Sequence, residues 1–267
     1  MPEINEIISV IENIAPLNGA CEWDNSGLII GNGKNRTDAV VVALDFNEGV
    51  LHEAISRGAG LIVTHHPFIF GGIKQIIYDS RRGAIIAGLI KNDISVYAAH
   101  TNLDTADGGT NDALFDLLGL TEKRYLTVVG FALGRIGACG KNLNLKDYAA
   151  RVKAILNSPV IKWAGDPEKT IVTVGFAAGS ASGEKYFREA AANGCDVYIT
   201  GDVSHHDAYD ALNEGLSIID AGHFATEYPV TGTLAGLLAD ASEKNNWGLK
   251  IYRANERDIF NYGTEPD

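Results

Sequence analysis

Short apolar runs rich in β-branched residues alternate along the first half of the chain with longer amphipathic stretches. In chain order the segments are AVVVALD (39–45), NEGVLHEAISRG (47–58), GLIVTH (60–65), RRGAIIAGLIKND (81–93) and ISVYAAH (94–100). Strand-like runs separated by helix-like stretches are typical of a mostly parallel sheet with helices on its faces. The pattern therefore predicts an α/β fold.

A second block of the same kind follows a glycine-rich strand region at 128–140. Its predicted helices and strands are NLKDYAARVKAILN (144–157), KTIVTVGFAAG (169–179), EKYFREAAANG (184–194), CDVYITGD (195–202) and LSIID (216–220). A long helix is expected to begin near 225–229, and WGLKIYRAN (247–255) to form a closing strand. We expect two similar α/β lobes with no inserted extra domain. The first lobe comprises residues 1–125 with the C-terminal segment 216–267, and the second comprises residues 126–215.

Two segments of these lobes resemble each other. EAISRGAGLIVT (53–64) and EAAANGCDVYIT (189–200) align with shared Glu, Ala, Gly and Thr positions, and each leads to a His-His pair. An internal duplication explains this and would give two lobes facing each other across a cleft. Chance similarity between helix–glycine–strand units explains it equally well.

The composition is that of a globular protein with an acidic balance of charge. Of 267 residues, 46% are hydrophobic and 21% charged, which excludes a disordered or collagen-like chain. The 22 Lys and Arg against 34 Asp and Glu give a formal net charge of −12, which disfavours binding to nucleic acid or anionic membranes. The apolar runs are too short to span a bilayer.

Three distant cysteines without CxxC spacing, and an N-terminus unlike a signal peptide, predict a cytoplasmic protein.

Six of the seven histidines follow predicted strands. They are His65, His66, His100, His205, His206 and His223. Ligands of parallel sheets bind at the carboxyl ends of the strands, so this shared location favours a functional role. His52 lies in a predicted helix, where a solvent-facing position is expected.

Carboxylates accompany the histidines at short spacing. Asp104 lies four residues after His100, and Glu227 lies four residues after His223. Imidazole nitrogens and carboxylate oxygens without sulfur form a ligand set suited to Zn, Fe, Mn or Ni in a catalytic centre. Two ions about 3.5–4 Å apart need more ligands than a single ion does. The histidines and carboxylates at the predicted strand ends are numerous enough to supply them. We predict a dinuclear centre with two divalent metal ions per chain.

In two histidine motifs, THHP and GHFATE, neighbouring residues predict how the side chains are oriented. In THHP (64–67), both imidazoles can face one centre only if the chain leaves strand geometry, and Pro67 favours this departure. In GHFATE (222–227), Gly222 permits an unusual turn. Glu227 is expected in the first turn of the last long helix, where the helix dipole would favour its ionised form.

Three features leave alternatives open. His100 could ligate a metal, hold Asp104 by a hydrogen bond or serve only the loop. Trp23 and Asp24 fit a turn with a packed indole as well as they fit a cavity wall. The loop GSASG (179–183) resembles a phosphate cradle but lacks the lysine of a P-loop, and tight strand-to-helix packing is the commoner reason for such glycines.

Six motifs together resemble the characteristic blocks of the NIF3-like family, whose members are also named GTP cyclohydrolase 1 type 2 homologs. They are CEWDNSGLIIG (21–31), LIVTHHPFIF (61–70), YAAHTNLD (97–104), GRIG (134–137), YITGDVSHHDAYDA (198–211) and GHFATE (222–227). They occur in the family's order and cover most of the chain. The resemblance implies the NIF3-like fold, in which two α/β lobes hold a metal site in the cleft between them, and assembly into a toroidal homohexamer.

The resemblance also implies the identity of the metal ligands. Carried over motif by motif, they are His65 and His66 of THHP, Asp104 of HTNLD, and His223 and Glu227 of GHFATE. Glu227 is the candidate for a carboxylate that bridges the two ions.

Two functions of different classes fit these expectations. The first is a metal-dependent hydrolase acting on a nucleotide or another small molecule, with His100, His205 or His206 transferring protons and Asp202 near the substrate. A GTP cyclohydrolase-type reaction rests on the family resemblance alone, and the residues equally permit phosphoester or amide hydrolysis. The second is a non-enzymatic metal-binding, metal-delivery or scaffold protein, which an exchangeable metal and an absence of turnover would favour.

Overall fold

The computed structural model describes residues 1–263, which fold into two compact units. The first unit comprises Met1–Gly109 and Val230–Glu256, and the second comprises Thr110–Pro229 and the described residues 257–263. Each unit is built on one β-sheet with associated helices, which confirms the predicted α/β class. Within the described residues, no helix is both long and apolar enough to cross a membrane.

Helices and strands alternate along most of the chain. In order they are α1 (Ile4–Ile14), β1 (Gly27–Ile30), β2 (Ala39–Ala43), α2 (Glu48–Arg57), β3 (Leu61–Thr64), α3 (Arg81–Lys91), β4 (Ser95–Ala98), α4 (Thr101–Thr105), α5 (Thr110–Leu118), β5 (Thr121–Val128), β6 (Phe131–Asn144), α6 (Leu145–Ile155), β7 (Lys162–Ala164), β8 (Thr170–Phe176), α7 (Glu184–Ala192), β9 (Val197–Thr200), α8 (His205–Asn213), β10 (Ser217–Asp220), α9 (His223–Glu227), α10 (Pro229–Lys244) and β11 (Lys250–Arg253).

The first unit contains a five-stranded sheet in the order β1-β4-β3-β2-β11. The last four strands of that order run parallel, and β1 pairs antiparallel with β4 at one edge. Every residue of β2, β3 and β4 is buried. Strands that are apolar along their whole length are expected where helices cover both faces of a parallel sheet.

Helix α2 shows how the local sequence sets the ends of these elements. The side chain of Asn47 accepts a hydrogen bond from the backbone N–H of Val50 at the start of the helix. Gly58 ends it in the left-handed conformation, with φ of 65°. Between them Val50, Leu51 and Ala54 are buried. The helix thus begins and ends at residues that favour those positions.

The parallel strands of the first unit end level with one another. Ala43 of β2 pairs with Thr64 of β3, and Thr64 pairs with Ala98 of β4. The residues that follow these three strands are therefore brought to one edge of the sheet, as expected from the predicted strand ends.

The second unit contains a six-stranded sheet in the order β5-β6-β8-β9-β10-β7. Strands β8, β9 and β10 are parallel, and the remaining pairs are antiparallel. Thr200, the last residue of β9, pairs with Asp220, the last residue of β10. The loops after β9 and β10 therefore also leave the sheet at one edge.

Two regions differ from the sequence-based expectations. The strand region at 128–140 belongs to a hairpin of β5 and β6, whose turn residues Val129 and Gly130 have positive φ of 50° and 85°. The expected long helix is two helices, α9 and α10, with Pro229 first in α10, where its missing N–H is tolerated. Glu227 therefore ends α9 instead of lying in the first turn of the long helix, so the helix-dipole argument for its ionisation is wrong.

Candidate metal centre

His65 and His66 follow β3 directly and lie side by side. The backbone N–H of His65 bonds to the carbonyl of Ala43, and that of His66 bonds to the carbonyl of Leu44. The hydroxyl of Thr64 donates to the carbonyl of His66, at 2.8 Å, and so closes a turn at the end of the strand. The two ring centroids are 5.0 Å apart. Strand alternation would send the rings to opposite faces, so this turn is what brings them together.

The imidazole of His65 is fully buried, and its surroundings fix its tautomer. Its Nδ1 lies 2.8 Å from the carbonyl oxygen of Ala99. A carbonyl only accepts hydrogen bonds, so Nδ1 carries the proton, and in the neutral ring Nε2 then holds the lone pair. That Nε2 lies 3.5 Å from Oδ1 of Asp104, which is contributed by α4. A neutral imidazole with a lone pair on Nε2 is the form that binds a metal ion.

His66 is oriented by a carboxylate that follows the neighbouring strand. Its Nδ1 lies 2.9 Å from Oδ1 of Asp45, two residues beyond the end of β2. The loop that carries Asp45 is fixed in turn by Glu256, whose carboxylate accepts from the backbone N–H of Leu44 at 2.7 Å and of Asp45 at 2.9 Å. Burial raises the pKa of Glu256, although the two backbone donors oppose the shift. A carboxylate on Nδ1 orients the ring and increases the basicity of Nε2.

His100 is oriented in the same way by Asp24. Its Nδ1 lies 2.8 Å from Oδ1 of Asp24, whose side chain is fully buried. The other carboxylate oxygen accepts from the hydroxyl of Ser26 and from both the N–H and the hydroxyl of Thr101. Burial alone would raise the pKa of Asp24, but the hydrogen bonds from His100, Thr101 and Ser26 outweigh it and hold that pKa well below the usual range. Asp24 is therefore an ionised acceptor that sets the orientation of His100.

The three imidazoles of the first unit form a group that could hold a metal ion. One ring nitrogen from each of His65, His66 and His100 lies within 4.8 Å of the other two. Asp104 adds a carboxylate beside His65. Two ligands bound at about 2.1 Å with tetrahedral geometry lie about 3.4 Å apart, close to the 3.5 Å between His65 Nε2 and Asp104 Oδ1. The donor types and their spacing therefore fit a divalent ion.

The second unit carries its own pair of donors on α9. Nε2 of His223 lies 2.9 Å from Oε2 of Glu227, whose side chain is 5% exposed. Nδ1 of His223 lies 2.7 Å from Oδ2 of Asp202, two residues beyond the end of β9. Asp202 adopts a left-handed backbone conformation, with φ of 55°. The arrangement of ring and carboxylate repeats that of His66 and Asp45.

Close backbone packing fixes the surroundings of His223 and Glu227. Gly222 precedes α9 with φ of 91°, the unusual turn that its sequence predicts. Gly179, with φ of 70°, lies so near α9 that a Cβ there would overlap the carboxylate of Glu227. The N–H of Gly179 donates to the hydroxyl of Thr226 at 3.0 Å. In the loop GSASG, tight packing therefore accounts for the first glycine, and its N–H is already bonded within the unit.

The other predicted residues lie in different surroundings. His205 and His206 begin α8 and are exposed, and their rings contact each other. The ring of His205 also contacts that of Tyr209. In the described part of the chain, neither belongs to a group of three or more donors that could hold a metal ion. Ser204 caps α8, so neither histidine has that role. His52 is exposed on α2, as expected.

Asp45 is the residue of this site that sequence reasoning missed. The signal was available, because Asp45 closes the predicted strand AVVVALD and so belongs to the same sheet edge as the histidines. Glu256 gives no such signal, since it is far from Asp45 in sequence and comes beside it only through the pairing of β11 with β2.

Comparison with known proteins gives one consistent result. The sequence profile of the Duf34/NIF3 (NGG1p interacting factor 3) family matches residues 2–258. A Clostridium acetobutylicum protein named GTP cyclohydrolase 1 type 2 homolog is 35% identical over 247 residues, covering 91% of each chain. A Clostridium perfringens protein of the same name is 37% identical over 232 residues, covering 85% of this chain and 88% of its own. The crystal structure of a Bacillus cereus protein related to NIF3 superposes with a TM-score of 0.92 at 27% identity, covering 98% of this chain and 99% of that one. With its fold and its motifs in agreement, the chain belongs to the NIF3 family.

Proposed function

We propose that this protein binds two divalent metal ions and uses them to hydrolyse a small-molecule substrate. The proposed ligands are His65, His66 and Asp104 of the first unit and His223 and Glu227 of the second. Glu227 is proposed as the carboxylate shared by the two ions. The family's name among its relatives makes a guanine nucleotide the first substrate to test.

The orientation of the imidazoles carries this proposal. Of the four histidines at these strand ends, His65 is held through Nδ1 by a backbone carbonyl. His66, His100 and His223 are held through Nδ1 by Asp45, Asp24 and Asp202. The four rings are thus oriented through the same nitrogen, which makes Nε2 the proposed ligand atom of each; in His223 that atom lies 2.9 Å from Oε2 of Glu227. Metal-binding histidines almost always have this arrangement, with the second ring nitrogen held by a carboxylate or a backbone carbonyl.

Bound divalent ions would lower the pKa of a coordinated water towards neutrality and polarise the group under attack. The chain's own residues position and protect that chemistry. Asp45, Asp24 and Asp202 fix the ring orientations. His100, only 8% exposed and within 4.8 Å of the ring nitrogens of His65 and His66, is placed to ligate or to transfer a proton. His205 and His206 are exposed on α8, which supports a role in substrate contact more than in proton transfer.

Elemental analysis of untagged, chelator-free protein tests the metal proposal. We expect about two ions per chain, as a two-metal site requires. His65→Ala and Glu227→Ala should remove most of the metal and leave the chain folded, because neither residue belongs to a strand of the two sheets. His52→Ala is the matched control, a histidine on the exposed face of α2, and should keep full metal content. Full metal content in the His65 or Glu227 variant would refute this ligand set.

Turnover separates the enzyme from a non-enzymatic metal-binding, metal-delivery or scaffold protein. A screen with Zn-, Fe- and Mn-loaded protein should begin with GTP and continue with phosphoesters and amides. Hydrolysis that disappears in Asp104→Ala while the protein stays folded supports the hydrolase. Metal that exchanges readily, with no hydrolysis of any substrate in the screen, supports the alternative.

We also propose that the chain forms the toroidal homohexamer implied by its family, in a reducing cytoplasm. The three cysteines are buried free thiols, which suits that compartment. Light scattering coupled to gel filtration should give six times the chain mass of 28.5 kDa. A monomer at micromolar concentration would refute the assembly.

A further inference from the structure

Two large aromatic side chains stand exposed beside the histidine group of the first unit. Trp23 is 63% exposed and Phe70 is 51% exposed. Their rings are nearly parallel, with 10° between the planes and 6.1 Å between the centroids. Both meet the ring of His100 edge to face, at 6.0 Å for Trp23 and 5.4 Å for Phe70. They form an exposed pair of parallel aromatic rings, the Trp23–Phe70 surface, that adjoins His100 of the histidine group.

Hydrogen bonds from neighbouring residues fix this surface to the unit. The side-chain amide of Asn25 donates to the carbonyl of Ile69, the residue before Phe70. Asp24, the residue after Trp23, is anchored by His100 and Thr101. The two backbone segments that carry the rings are therefore tied both to each other and to His100.

Packing does not account for these rings. An indole that served only the fold would be buried, and burial of a large aromatic side chain is its main contribution to stability. Of the two alternatives left open for Trp23, a packed indole does not fit a ring that is 63% exposed. Phe70 lies in the connection at 65–80, between β3 and α3. Connections longer than about 12–15 residues without regular structure are uncommon and are usually either functional loops or linker segments.

We propose that the Trp23–Phe70 surface binds a planar heteroaromatic ring of the substrate and directs the rest of that molecule towards the histidine group. This inference rests on the proposed function and adds the chemical class of the ligand. A flat ring of the nucleobase type stacks on indole and phenyl faces whatever its substituents, because every base has a π-face. A purely phosphate-bearing ligand would gain nothing from two parallel aromatic faces.

The spacing of the two rings decides how the ligand lies. A ring inserted between them would need roughly 7 Å, two stacking distances of about 3.5 Å. The centroids are only 6.1 Å apart. The ligand ring therefore stacks on an outer face of the pair.

Tryptophan fluorescence of the metal-loaded protein tests the proposal. The chain has three tryptophans, so Trp163→Phe with Trp247→Phe leaves Trp23 as the sole indole. We expect saturable quenching by GTP and by guanosine, and none by inorganic triphosphate or ribose 5-phosphate. Calorimetric titration of the otherwise unchanged chain with GTP should show Kd raised about five- to 150-fold in Trp23→Ala, the range for loss of one stacking partner.

Matched variants distinguish stacking from a structural role. Phe70→Ala should weaken GTP binding in the same range, and Trp23→Phe should restore most of it because a phenyl ring still stacks. Trp163→Ala changes another partly exposed tryptophan, on β7, and should leave Kd unchanged. If Trp23→Ala fails to fold, Phe70→Ala and Trp23→Phe decide the question.

Three outcomes would overturn the proposal. They are quenching by triphosphate as strong as by GTP, an unchanged Kd in both alanine variants, and a smaller assembly by light scattering in Trp23→Ala, which would assign the surface to contact between copies of the chain. Metal content is measured on the same samples. If the protein holds its full metal content but GTP and guanosine do not bind through their ring, this inference alone is refuted. If the protein holds no metal, the proposed function is refuted, and stacking of guanosine on Trp23 can still be measured.

Discussion

Replacing Asp202 with asparagine tests whether the carboxylate on Nδ1 of His223 supports metal binding. The two atoms are 2.7 Å apart. Asparagine keeps the size of the side chain and an oxygen that can accept the same hydrogen bond. It also tolerates the left-handed backbone at φ of 55°, where alanine would cost roughly 1–2 kcal/mol. The substitution therefore removes the negative charge and little else.

The expected loss can be scaled from exposure. Changing a partner that holds a ligating histidine typically lowers metal affinity 10- to 100-fold. The side chains of His223 and Asp202 are 35% and 48% exposed, so water screens their interaction and the lower end applies. We expect affinity to fall about tenfold, or about 1.4 kcal/mol.

Competition of the protein with a chromogenic chelator for Zn²⁺ measures this loss. Asp93→Asn is the matched control, since Asp93 is also exposed, also has φ of 55°, and lies in the first unit, where its carboxylate bonds to Asn35. The control should bind Zn²⁺ as the unaltered chain does. Equal affinities in the two variants would refute the role assigned to Asp202, and with it the assignment of His223 as a ligand held through Nδ1.

Three further predictions concern the fold around the site. Gly179→Ala should lower metal content, measured by elemental analysis, without unfolding the chain, because a methyl group there would overlap the carboxylate of Glu227. Asp112→Ala should lower the free energy of unfolding in urea by about 3–5 kcal/mol, because Arg135 is fully buried and its Nε lies 2.6 Å from that carboxylate. Cys195 should react slowly with iodoacetamide at neutral pH until denaturant is added, because burial raises the pKa of its thiol to about 12.

Each of these has a contrary result. Full metal content in Gly179→Ala would show that the loop at 179–183 shifts to accommodate the methyl group without moving Glu227. A loss of no more than about 0.5 kcal/mol in Asp112→Ala, as at a surface position, would show that Arg135 does not depend on that carboxylate. Rapid labelling of the native protein would show that Cys195 becomes exposed in solution.

Helices and strands with a strong periodic pattern of apolar residues could be predicted from sequence. Short elements that depend on pairing with a distant strand could not. Helix α2 has caps and an apolar face of its own, so its ends are encoded locally. Strand β1 is four residues long with one fully buried position, and its pairing with β4 is what makes it a strand. The short helices α4 and α9 carry five residues each, too few for a periodic signal.

The same division applies to the candidate site. The histidines could be predicted because they share the position that follows a buried strand. The residues that orient them could be predicted only in part, since Asp24 and Glu256 reach their partners through contacts far apart in sequence. Exposure is also invisible in the sequence, and it is the exposure of Trp23 that decides between a packed indole and a binding surface.

In both units an aspartate holds Nδ1 of a histidine, and the spacing between the two residues identifies which segments of the units correspond. Asp45 and His66 are 21 residues apart, and Asp202 and His223 are also 21 residues apart. In both, an aspartate follows one parallel strand, a capped helix intervenes, and the histidine follows the adjacent strand.

This correspondence differs from the one suggested by the similarity of 53–64 to 189–200. That alignment sets β3 against β9, whereas the shared spacing sets β3 against β10 and α2 against α8. It also sets the caps Asn47 and Ser204 at the same position. Glu48 of α2 then corresponds to His205 of α8, an exposed place on the first turn of each helix.

Equivalent positions should respond alike to the same change. Asp45→Asn is therefore expected to weaken Zn²⁺ binding to a degree similar to Asp202→Asn, about tenfold, because Asp45 is 49% exposed and its oxygen lies 2.9 Å from the ring nitrogen of His66. The same chelator competition measures both. A loss in one variant and none in the other would show that the repeated geometry serves metal binding in one unit and only the fold in the other.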